Sequence, residues 1–386
     1  MKRSLHRAAA LLLAAAVAFG AGLRPAAAAE EEALDCAAAV LMEAESGQIL
    51  YAYNADGRCA PASLTKLMTL LLVFEELESG ALAPEDEVTA SLHASAMGGS
   101  QIWLEPYETM TVDELLRATA LASANDAAVA LAEACAGTEG QFVAEMNERA
   151  ARLGLTGTRY ENASGLDEDG HYTTARDVAL LSRELLRHDG VTGYTSVWQD
   201  SLRDGATELV NTNRLVRFYD GCVGLKTGTT DAAGHCVSAA ATRDDMTLIA
   251  VVLGAPDSDS RFDGARQLLD YGFSAFTKAP APDLSAGLLP VRVAHGAEET
   301  VQPVADAPAG IVVEKSRAAD LAAEVELPQV LEAPVEEGAV IGSVTVTLDG
   351  SPVVEYPIRA GAAVERMEMP LALRRLLAAL CGGRVE

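Results

Sequence analysis

Cysteine is scarce in this sequence, and basic residues are outnumbered by acidic ones. Six cysteines in 386 residues are too few for a fold built from disulfides, and no CxxC pair is present to form a zinc ribbon. The chain has 29 Lys and Arg residues against 56 Asp and Glu residues, for a net charge of −27. A surface this acidic repels phosphate backbones, so we expect no nucleic-acid partner.

Long hydrophobic runs and metal-ligand spacings are also missing. Beyond the first segment, no run reaches the ~18 apolar residues that a membrane span needs. The six histidines show neither HxH nor HxxxH spacing, so we expect no metal site and no cofactor. Hydrophobic residues at 49% and charged residues at 22% are an ordinary globular balance, and the length allows about two domains.

The first segment has the pattern of a secretory signal peptide. Met1–Arg7 is basic, Ala8–Leu23 is almost wholly apolar, and small residues follow up to Ala29. We predict a signal peptide over residues 1–29 with cleavage after Ala29. The alternative is a buried N-terminal helix. Export would place the protein outside the cytoplasmic membrane.

Helices are predicted in the middle of the chain and strands on both sides of it. The predicted helices are a long one from Pro61 to Gly80, one from the capping box Thr111-Val-Asp-Glu114 to about Leu121, and others over Asp126–Cys135, Gln141–Leu153, Thr174–Arg187 and Arg261–Phe273. The predicted strands are Ala37–Leu41, Gln48–Tyr53, Val223–Thr227, Cys236–Ala241 and Thr247–Leu253. This order predicts an α+β domain in which the two ends of the chain complete one antiparallel sheet.

A second, all-β domain is predicted after this region. Lys278–Pro282 reads as a linker, and short alternating strands follow over residues 283–367. Residues 369–386 then carry a possible amphipathic helix, with Leu373 and Leu377 on one face and Arg374 on the other. This helix either lies in a membrane interface or docks on the β-domain.

The first chemical motif is Ser63-Leu-Thr-Lys66, at the start of the first long helix. Residues three apart in a helix share a face, so the two side chains can meet. Serine is a poor nucleophile until a base removes its proton, and a lysine can be that base if burial or a nearby cation lowers its pKa. Alone, this spacing is more typical of a cap serine and a surface lysine than of a catalytic pair.

Two further short motifs follow. Ser123-Ala-Asn125 lies between two helices, where a loop can aim a hydroxyl and an amide into a cleft. Lys226-Thr-Gly228 lies on a predicted strand, where it presents a cation and a hydroxyl to an anion. Its glycine lets a ligand approach the backbone closely. Each motif alone is common.

The three motifs in this order are specific. SxxK, SDN and KTG together mark penicillin-binding proteins and class A β-lactamases. The chain resembles the low-molecular-mass penicillin-binding proteins that are D-alanyl-D-alanine carboxypeptidases, from about Leu34 to Phe276. The resemblance also includes Gly98-Gly-Ser-Gln-Ile102, Gly165-Leu-Asp167 and Arg261-Phe262. The middle residue of the second motif is Ala124 rather than Asp, a small change that we expect to be tolerated.

The resemblance implies a fold and a set of roles. The fold would be a transpeptidase/β-lactamase-like catalytic domain over residues 30–278, followed by a C-terminal all-β domain and an amphipathic anchor. Ser63 would be acylated, Lys66 would be its base, and Ser123 and Asn125 would shape the cleft and assist proton transfer. Lys226, Thr227, Gly228, Thr229 and Arg261 would bind the substrate, and the N–H groups of Ser63 and Thr229 would form the oxyanion hole.

The implied function is removal of the terminal D-alanine from peptidoglycan stem pentapeptides, at the outer face of the cytoplasmic membrane or in the cell wall or periplasmic space. β-Lactams would acylate the same serine, and residues 370–386 would meet a membrane surface. One alternative is a serine β-lactamase, although no Glu-x-x-Leu-Asn segment lies between Asn125 and Lys226. Another is a penicillin-binding or wall-binding protein with little turnover. Cys222 and Cys236 could pair, or one could be a free thiol.

Overall fold

The computed structural model describes residues 34–284 and 287–380 of the chain. The predicted signal peptide over residues 1–29 and the sixth cysteine, Cys381, lie outside these ranges.

The first part of the described chain contains ten strands and nine helices. The strands are β1 Ala38–Glu43, β2 Ile49–Tyr53, β3 Glu87–Thr89, β4 Thr109–Thr111, β5 Gln199–Leu202, β6 Thr207–Val210, β7 Cys222–Thr230, β8 Gly234–Arg243, β9 Met246–Ala255 and β10 Phe276–Ala279. The helices are α1 Lys66–Ser79, α2 Leu92–Ser95, α3 Val112–Arg117, α4 Asn125–Ala136, α5 Glu139–Arg152, α6 Ala175–Leu185, α7 Val191–Thr195, α8 Leu215–Phe218 and α9 Ser258–Ala275.

Five of these strands form one antiparallel sheet in the order β2-β1-β9-β8-β7. Its central pairing joins the two ends of this region, because Val40 of β1 lies opposite Val251 of β9. The predicted α+β arrangement, with a sheet completed by the beginning and end of the domain, is therefore confirmed.

Helices cover both faces of the sheet, so its inner strands lack a polar face. All six residues of β1 are buried. On one face α9 packs closely, since a Cβ at Gly272 would lie 2.4 Å from Leu248 Cδ1 and 2.8 Å from Leu41 Cδ2. On the other face, Ser182 of α6 hydrogen-bonds Ser238 of β8 at 2.7 Å. Burial on both faces explains why these strands appear in the sequence as continuous apolar runs.

The helical region differs from the predicted one in two details. The predicted long helix begins with a 3₁₀ turn over Ala62–Thr65, and α1 itself begins at Lys66. The Thr111 capping box is present, with the Thr111 side chain accepting from Glu114 N, but α3 ends at Arg117. A π-helical turn over Ala118–Ala122 continues it and leads into Ser123.

The last part of the described chain is β-rich, as predicted. Its strands are β11 Val291–Ala294, β12 Thr300–Val301, β13 Pro303–Ala305, β14 Ile311–Glu314, β15 Leu321–Glu326, β16 Val330–Glu332, β17 Val340–Leu348 and β18 Ser351–Ala360. They form a three-stranded sheet, β12-β11-β16, and a four-stranded sheet, β13-β18-β17-β15. Val344, Val346 and Ile358 are fully buried in this second core.

The predicted linker over Lys278–Pro282 is wrong for its first two residues. Lys278 and Ala279 belong to β10, which pairs antiparallel with β14. The composition of the segment suggests a turn, but backbone pairing with a distant strand overrides that local preference. Strand β10 directly follows α9, so it links the covering helix to the β-rich part.

One helix follows the β-rich part, α10 over Met369–Leu380. Leu373 is 55% exposed and Leu377 is 52% exposed, so these two side chains are not buried against the strands. Within residues 34–284 and 287–380, every helix is too short or too polar to cross a bilayer.

Candidate active site

Ser63 lies in the 3₁₀ turn that precedes α1, and its side chain meets Lys66. Side chains at positions i and i+3 are eclipsed in a 3₁₀ helix, and Lys66 Nζ lies 3.0 Å from Ser63 Oγ. Ala62 enters the turn with φ of 47°, a left-handed conformation that a residue with a Cβ rarely adopts. The predicted serine–lysine contact is thus made through a 3₁₀ turn instead of an α-helix.

Lys66 is fully buried, and its terminal nitrogen, Nζ, has three hydrogen-bond partners. Besides Ser63 Oγ, Nζ contacts Asn125 Oδ1 and the Ser164 carbonyl oxygen, both at 2.6 Å. Burial, with the charge of Lys226 in addition, lowers the pKa of Lys66 well below its usual value, while the carboxylate of Asp126 opposes the shift. The two oxygens can take the two hydrogens of a neutral amine, which leaves its lone pair facing Ser63 Oγ.

The second motif is buried beside this lysine. Ser123 ends the π-helical turn with φ of 61°, and Asn125 begins α4. Asn125 Nδ2 donates to the Gly98 carbonyl at 2.6 Å, so its Oδ1 must be the atom that faces Lys66. Ala124 between them is fully buried. Its small side chain contributes to the core, which accounts for Ala in place of the Asp of the SDN motif.

A buried carboxylate next to this motif fixes the neighbouring loop. Both oxygens of Asp126 lie 3.2 Å from Ile102 N, and Oδ2 also accepts from Leu104 N at 3.0 Å. Asp126 is fully buried, and the backbone N–H groups satisfy its charge. The loop that carries the Gly98 carbonyl is therefore held in place from inside the domain.

The third motif runs along β7, next to the 3₁₀ turn that carries Ser63. Lys226 and Thr227 are buried, and Thr227 Oγ1 donates to Thr212 Oγ1 at 2.7 Å. A Cβ at Gly228 would lie 2.9 Å from both Ala62 Cβ and Ser63 N. Only glycine lets the strand approach the serine backbone this closely.

Two cations surround the end of this motif. Burial, followed by the charge of Arg261, lowers the pKa of Lys226 to about 7. Arg261 is 8% exposed, and its Nη1 donates to the Gly228 carbonyl at 3.1 Å and to Thr229 Oγ1 at 3.0 Å. Arg261 is therefore not a surface arginine, although it lies near the start of α9. The pair forms a positive region suited to a carboxylate.

Several other residues at the site are not predicted from the sequence. Ser164 contributes its carbonyl oxygen, which any residue type would supply. Thr212 holds Thr227, and His235 Nδ1 lies 3.3 Å from Thr229 Oγ1. The segment Gly165-Leu-Asp167 was noted only as part of the resemblance. Its glycine has φ of 90°, and a Cβ there would lie 1.9 Å from the Ala62 carbonyl oxygen.

The cysteines near the site do not form a disulfide. The five described cysteines are free thiols. Cys222 lies opposite Ala241 and Cys236 lies opposite Gly228, so the two are six positions apart along the paired strands. Burial raises the pKa of the Cys222 thiol to about 11, which keeps it protonated and unreactive at neutral pH.

One group of possible metal ligands occurs among the described residues, away from the three motifs. Its members are Glu75, Glu184 and His188. Arg149 already binds both carboxylates, at 2.7 Å each. Its guanidinium supplies the positive charge that this cluster needs.

Two family models match the chain. The D-alanyl-D-alanine carboxypeptidase family matches residues 25–257. The C-terminal domain of penicillin-binding protein 5 matches residues 286–366. The first match includes all three motifs, and the second covers most of the β-rich part.

Relatives match over most of their length. D-alanyl-D-alanine carboxypeptidase DacF of Bacillus subtilis is 38% identical over 351 residues, which are 90% of each chain. The crystal structure of penicillin-binding protein 5 from Haemophilus influenzae has a TM-score of 0.79 and 31% identity, covering 88% of this chain and all of that one. Penicillin-binding protein D2 from Listeria monocytogenes, in its ampicillin-bound form, has a TM-score of 0.58 and 35% identity over 63% of this chain and 99% of that one.

We predict that Gly165→Ala destabilises the protein, because the new Cβ would overlap the Ala62 carbonyl at a residue with left-handed backbone. The expected cost is about 2 kcal/mol of unfolding free energy, seen as a Tm several degrees lower in thermal denaturation followed by circular dichroism. Gly98→Ala is the matched control, since a Cβ there meets no atom within 4 Å. Equal Tm values for the two variants would contradict the proposed close contact.

We also predict that Lys226→Met stabilises the fold. The folded-state pKa of Lys226 lies at about 7 against an ordinary value of 10.5, so the unfolded chain binds the proton more tightly. The resulting penalty is full below about pH 7 and fades as the pH rises towards the unfolded value. Thermal denaturation near pH 6 should show a Tm higher by about 5 °C, and the gain should shrink at alkaline pH. Lys315→Met, at an exposed lysine, should change little. A Lys226→Met variant with a lower Tm than wild type would contradict this prediction.

Proposed function

The chain belongs to the D-alanyl-D-alanine carboxypeptidase family, and from this premise we propose that Ser63 is the acylated nucleophile of a serine-type carboxypeptidase. The enzyme removes the terminal D-alanine from peptidoglycan stem peptides. The observation that carries the assignment is the contact of Lys66 Nζ with Ser63 Oγ in a buried environment that favours the neutral amine. A neutral lysine can accept the serine proton at the moment of attack.

Acylation then follows from the geometry of the site. Ser63 Oγ attacks the carbonyl carbon between the two D-alanines, and its proton passes to Lys66 Nζ. The peptide C–N bond breaks, and the leaving amine receives a proton through Ser123, which lies in the same buried motif as Asn125. The product D-alanine departs and leaves an ester on Ser63, which water hydrolyses to regenerate the serine.

The oxyanion forms next to two backbone segments. Ser63 N faces β7 at the position where Gly228 lacks a side chain. We assign the oxyanion hole to the N–H groups of Ser63 and Thr229, which would hold the developing charge without reorganisation. A side chain at position 228 would fill this space.

The substrate carboxylate binds at the cationic end of β7. Lys226 and Arg261 provide the charge, and Thr227 and Thr229 provide hydroxyl groups. The burial of both cations strengthens their interaction with an anion. This region explains a requirement for a free carboxyl terminus, the defining feature of a carboxypeptidase substrate.

The same site accounts for acylation by β-lactams. Penicillin-binding protein D2 from Listeria monocytogenes, 35% identical, is known in ampicillin-bound and cefotaxime-bound forms. A β-lactam has an amide carbonyl and a carboxylate at comparable positions, but its leaving group stays tethered. We therefore expect slow deacylation.

The alternatives have less support. A serine β-lactamase needs a carboxylate base to activate the deacylating water, and no carboxylate of the described residues lies within ion-pair distance of Lys66 Nζ. Asp126, the buried acid that follows the second motif, binds backbone N–H groups instead. A penicillin-binding or wall-binding protein with little turnover would form an acyl-enzyme that is not hydrolysed. The intact motif residues around Ser63, with Lys66 in hydrogen-bond contact, favour an enzyme that turns over.

We further propose that the protein is exported and acts at the outer face of the cytoplasmic membrane or in the cell wall. The support is the signal-peptide pattern over residues 1–29 and the family's substrate. For α10 we propose contact with a membrane surface, because Leu373 and Leu377 are half-exposed apolar side chains on a short helix with Arg374 nearby.

The decisive prediction concerns Ser63→Ala. Wild-type protein should release D-alanine from a peptide ending in D-Ala-D-Ala, and the variant should lose at least about a thousandfold of that activity because the hydroxyl that forms the acyl-enzyme is gone. The measurement is D-alanine release together with mass spectrometry of ampicillin-treated protein. Penicillin labelling of wild type without D-alanine release would support the binding-protein alternative. Absence of both would overturn the assignment of Ser63 as the acylated nucleophile.

A second prediction concerns pH. Lys66 must be neutral to accept a proton, so activity should fall at acid pH as Lys66 becomes protonated. Lys226 must be charged to bind the carboxylate, and its pKa of about 7 should make kcat/KM fall above neutral pH. Arg261→Gln removes a cation that lowers this pKa, so the alkaline limb should move to higher pH in the variant. A kcat/KM profile that stays flat up to about pH 9 would contradict this assignment of Lys226.

A further inference from the structure

The hydroxyl of Thr229 lies between two side chains that compete for it. Thr229 is exposed at the end of the Lys226-Thr-Gly228 motif, where we place the substrate carboxylate. Arg261 Nη1 donates to its Oγ1 at 3.0 Å, and His235 Nδ1 lies 3.3 Å from the same oxygen. The contact with His235 comes from strand register, because Thr229 and His235 are directly opposed on β7 and β8.

A hydroxyl has one hydrogen to donate and two lone pairs to accept with. Arg261 can only donate, so it occupies one lone pair of Thr229 Oγ1. The hydroxyl hydrogen is therefore given either to His235 Nδ1 or to a ligand. When Nδ1 is bare it accepts that hydrogen. When the imidazole is protonated, Nδ1–H donates to the second lone pair and the hydroxyl hydrogen becomes available to an anion.

We infer that His235 is a positioning residue that controls, through Thr229, how strongly the site binds the terminal carboxylate of its substrate. This inference rests on the proposed carboxypeptidase function. Protonated His235 directs the Thr229 hydroxyl hydrogen to the substrate, and neutral His235 whose Nδ1 carries no hydrogen withdraws it. Substrate binding then weakens as His235 loses its proton, while the chemistry at Ser63 is unchanged.

The charges around His235 come from two directions. On α9, Arg261 shares Thr229 with it, and the carboxylate of Asp257, the N-cap residue of that helix, interacts electrostatically with its ring. On β7, the residue after Thr229 is Thr230, whose hydroxyl donates to Asp167 at 2.7 Å. On β9 the facing residue is Ala255, which carries no charge.

The test compares steady-state kinetics of wild type, His235→Phe, His235→Ala and Thr229→Val on an N-acylated peptide ending in D-Ala-D-Ala. KM and kcat are measured from about pH 5.5 to about pH 8.5, the range in which histidine ordinarily titrates. Because Lys226 titrates in the same range in all four proteins, the informative quantity is the ratio of KM values between wild type and variant at each pH.

Removal of the His235 side chain is expected to tighten substrate binding at alkaline pH. At about pH 8.5 both His235 variants should bind substrate more tightly than wild type, with KM lower by about tenfold, the effect of one hydrogen bond to a charged group. At about pH 5.5 the KM values should agree. Thr229→Val should raise KM at acid pH, and adding His235→Phe to it should have no further effect.

Several results would overturn the inference. A wild-type to variant KM ratio that is constant across the pH range would show that His235 does not direct the hydroxyl. A loss of kcat in both His235 variants at every pH would show a structural role instead. Wild-type protein without D-alanine release would reject the proposed function itself, whereas an active wild type with pH-independent ratios would reject only the role of His235.

Discussion

The burial of two lysines within one cleft is the constraint on which the rest of the site depends. Lys66 and Lys226 are both essentially inaccessible to water, and their charges repel each other. A protein tolerates this arrangement only if the amines can lose their protons or find strong partners. The two lysines meet this condition in different ways. Lys66 has two oxygen acceptors that suit a neutral amine. Lys226 has a pKa of about 7, so we propose that it takes up a proton when a substrate carboxylate binds.

The framework around these lysines is correspondingly rigid. Ala62 and Ser123 adopt left-handed backbone conformations at the edges of the first two motifs, and strain of this kind persists only where surrounding contacts determine the conformation. Two glycines allow the segments to meet: Gly165 lies against the Ala62 carbonyl and Gly228 lies against Ser63 N. The nucleophile is thus held between a loop and a strand that come from different parts of the chain.

Sequence motifs can propose catalytic residues, because the chemistry of a side chain depends on its residue type. Ser63, Lys66, Asn125 and Lys226 are proposed in this way, and the structure brings them together in one region. The strands of the sheet are predicted from their apolar runs. The Ser164 carbonyl could not be found, since every residue has one. His235 was missed for a different reason: its contact with Thr229 follows from the register of β7 and β8, which short apolar strands do not specify by themselves.

The local conformation of the nucleophile shows where propensity gives way to tertiary structure. A helix beginning at Pro61 was a reasonable expectation, because proline suits a first helical turn. The 3₁₀ turn over Ala62–Thr65 instead eclipses Ser63 and Lys66, while the close approach of Gly165 and Gly228 holds the turn from two sides. Since both contacts come from residues more than a hundred positions away, no local pattern encodes them. The same turn brings Lys66 Nζ to within hydrogen-bond distance of Ser63 Oγ, while Ser63 itself stays half-buried. One distortion of the helix start therefore provides both the proposed base for Ser63 and access for the substrate.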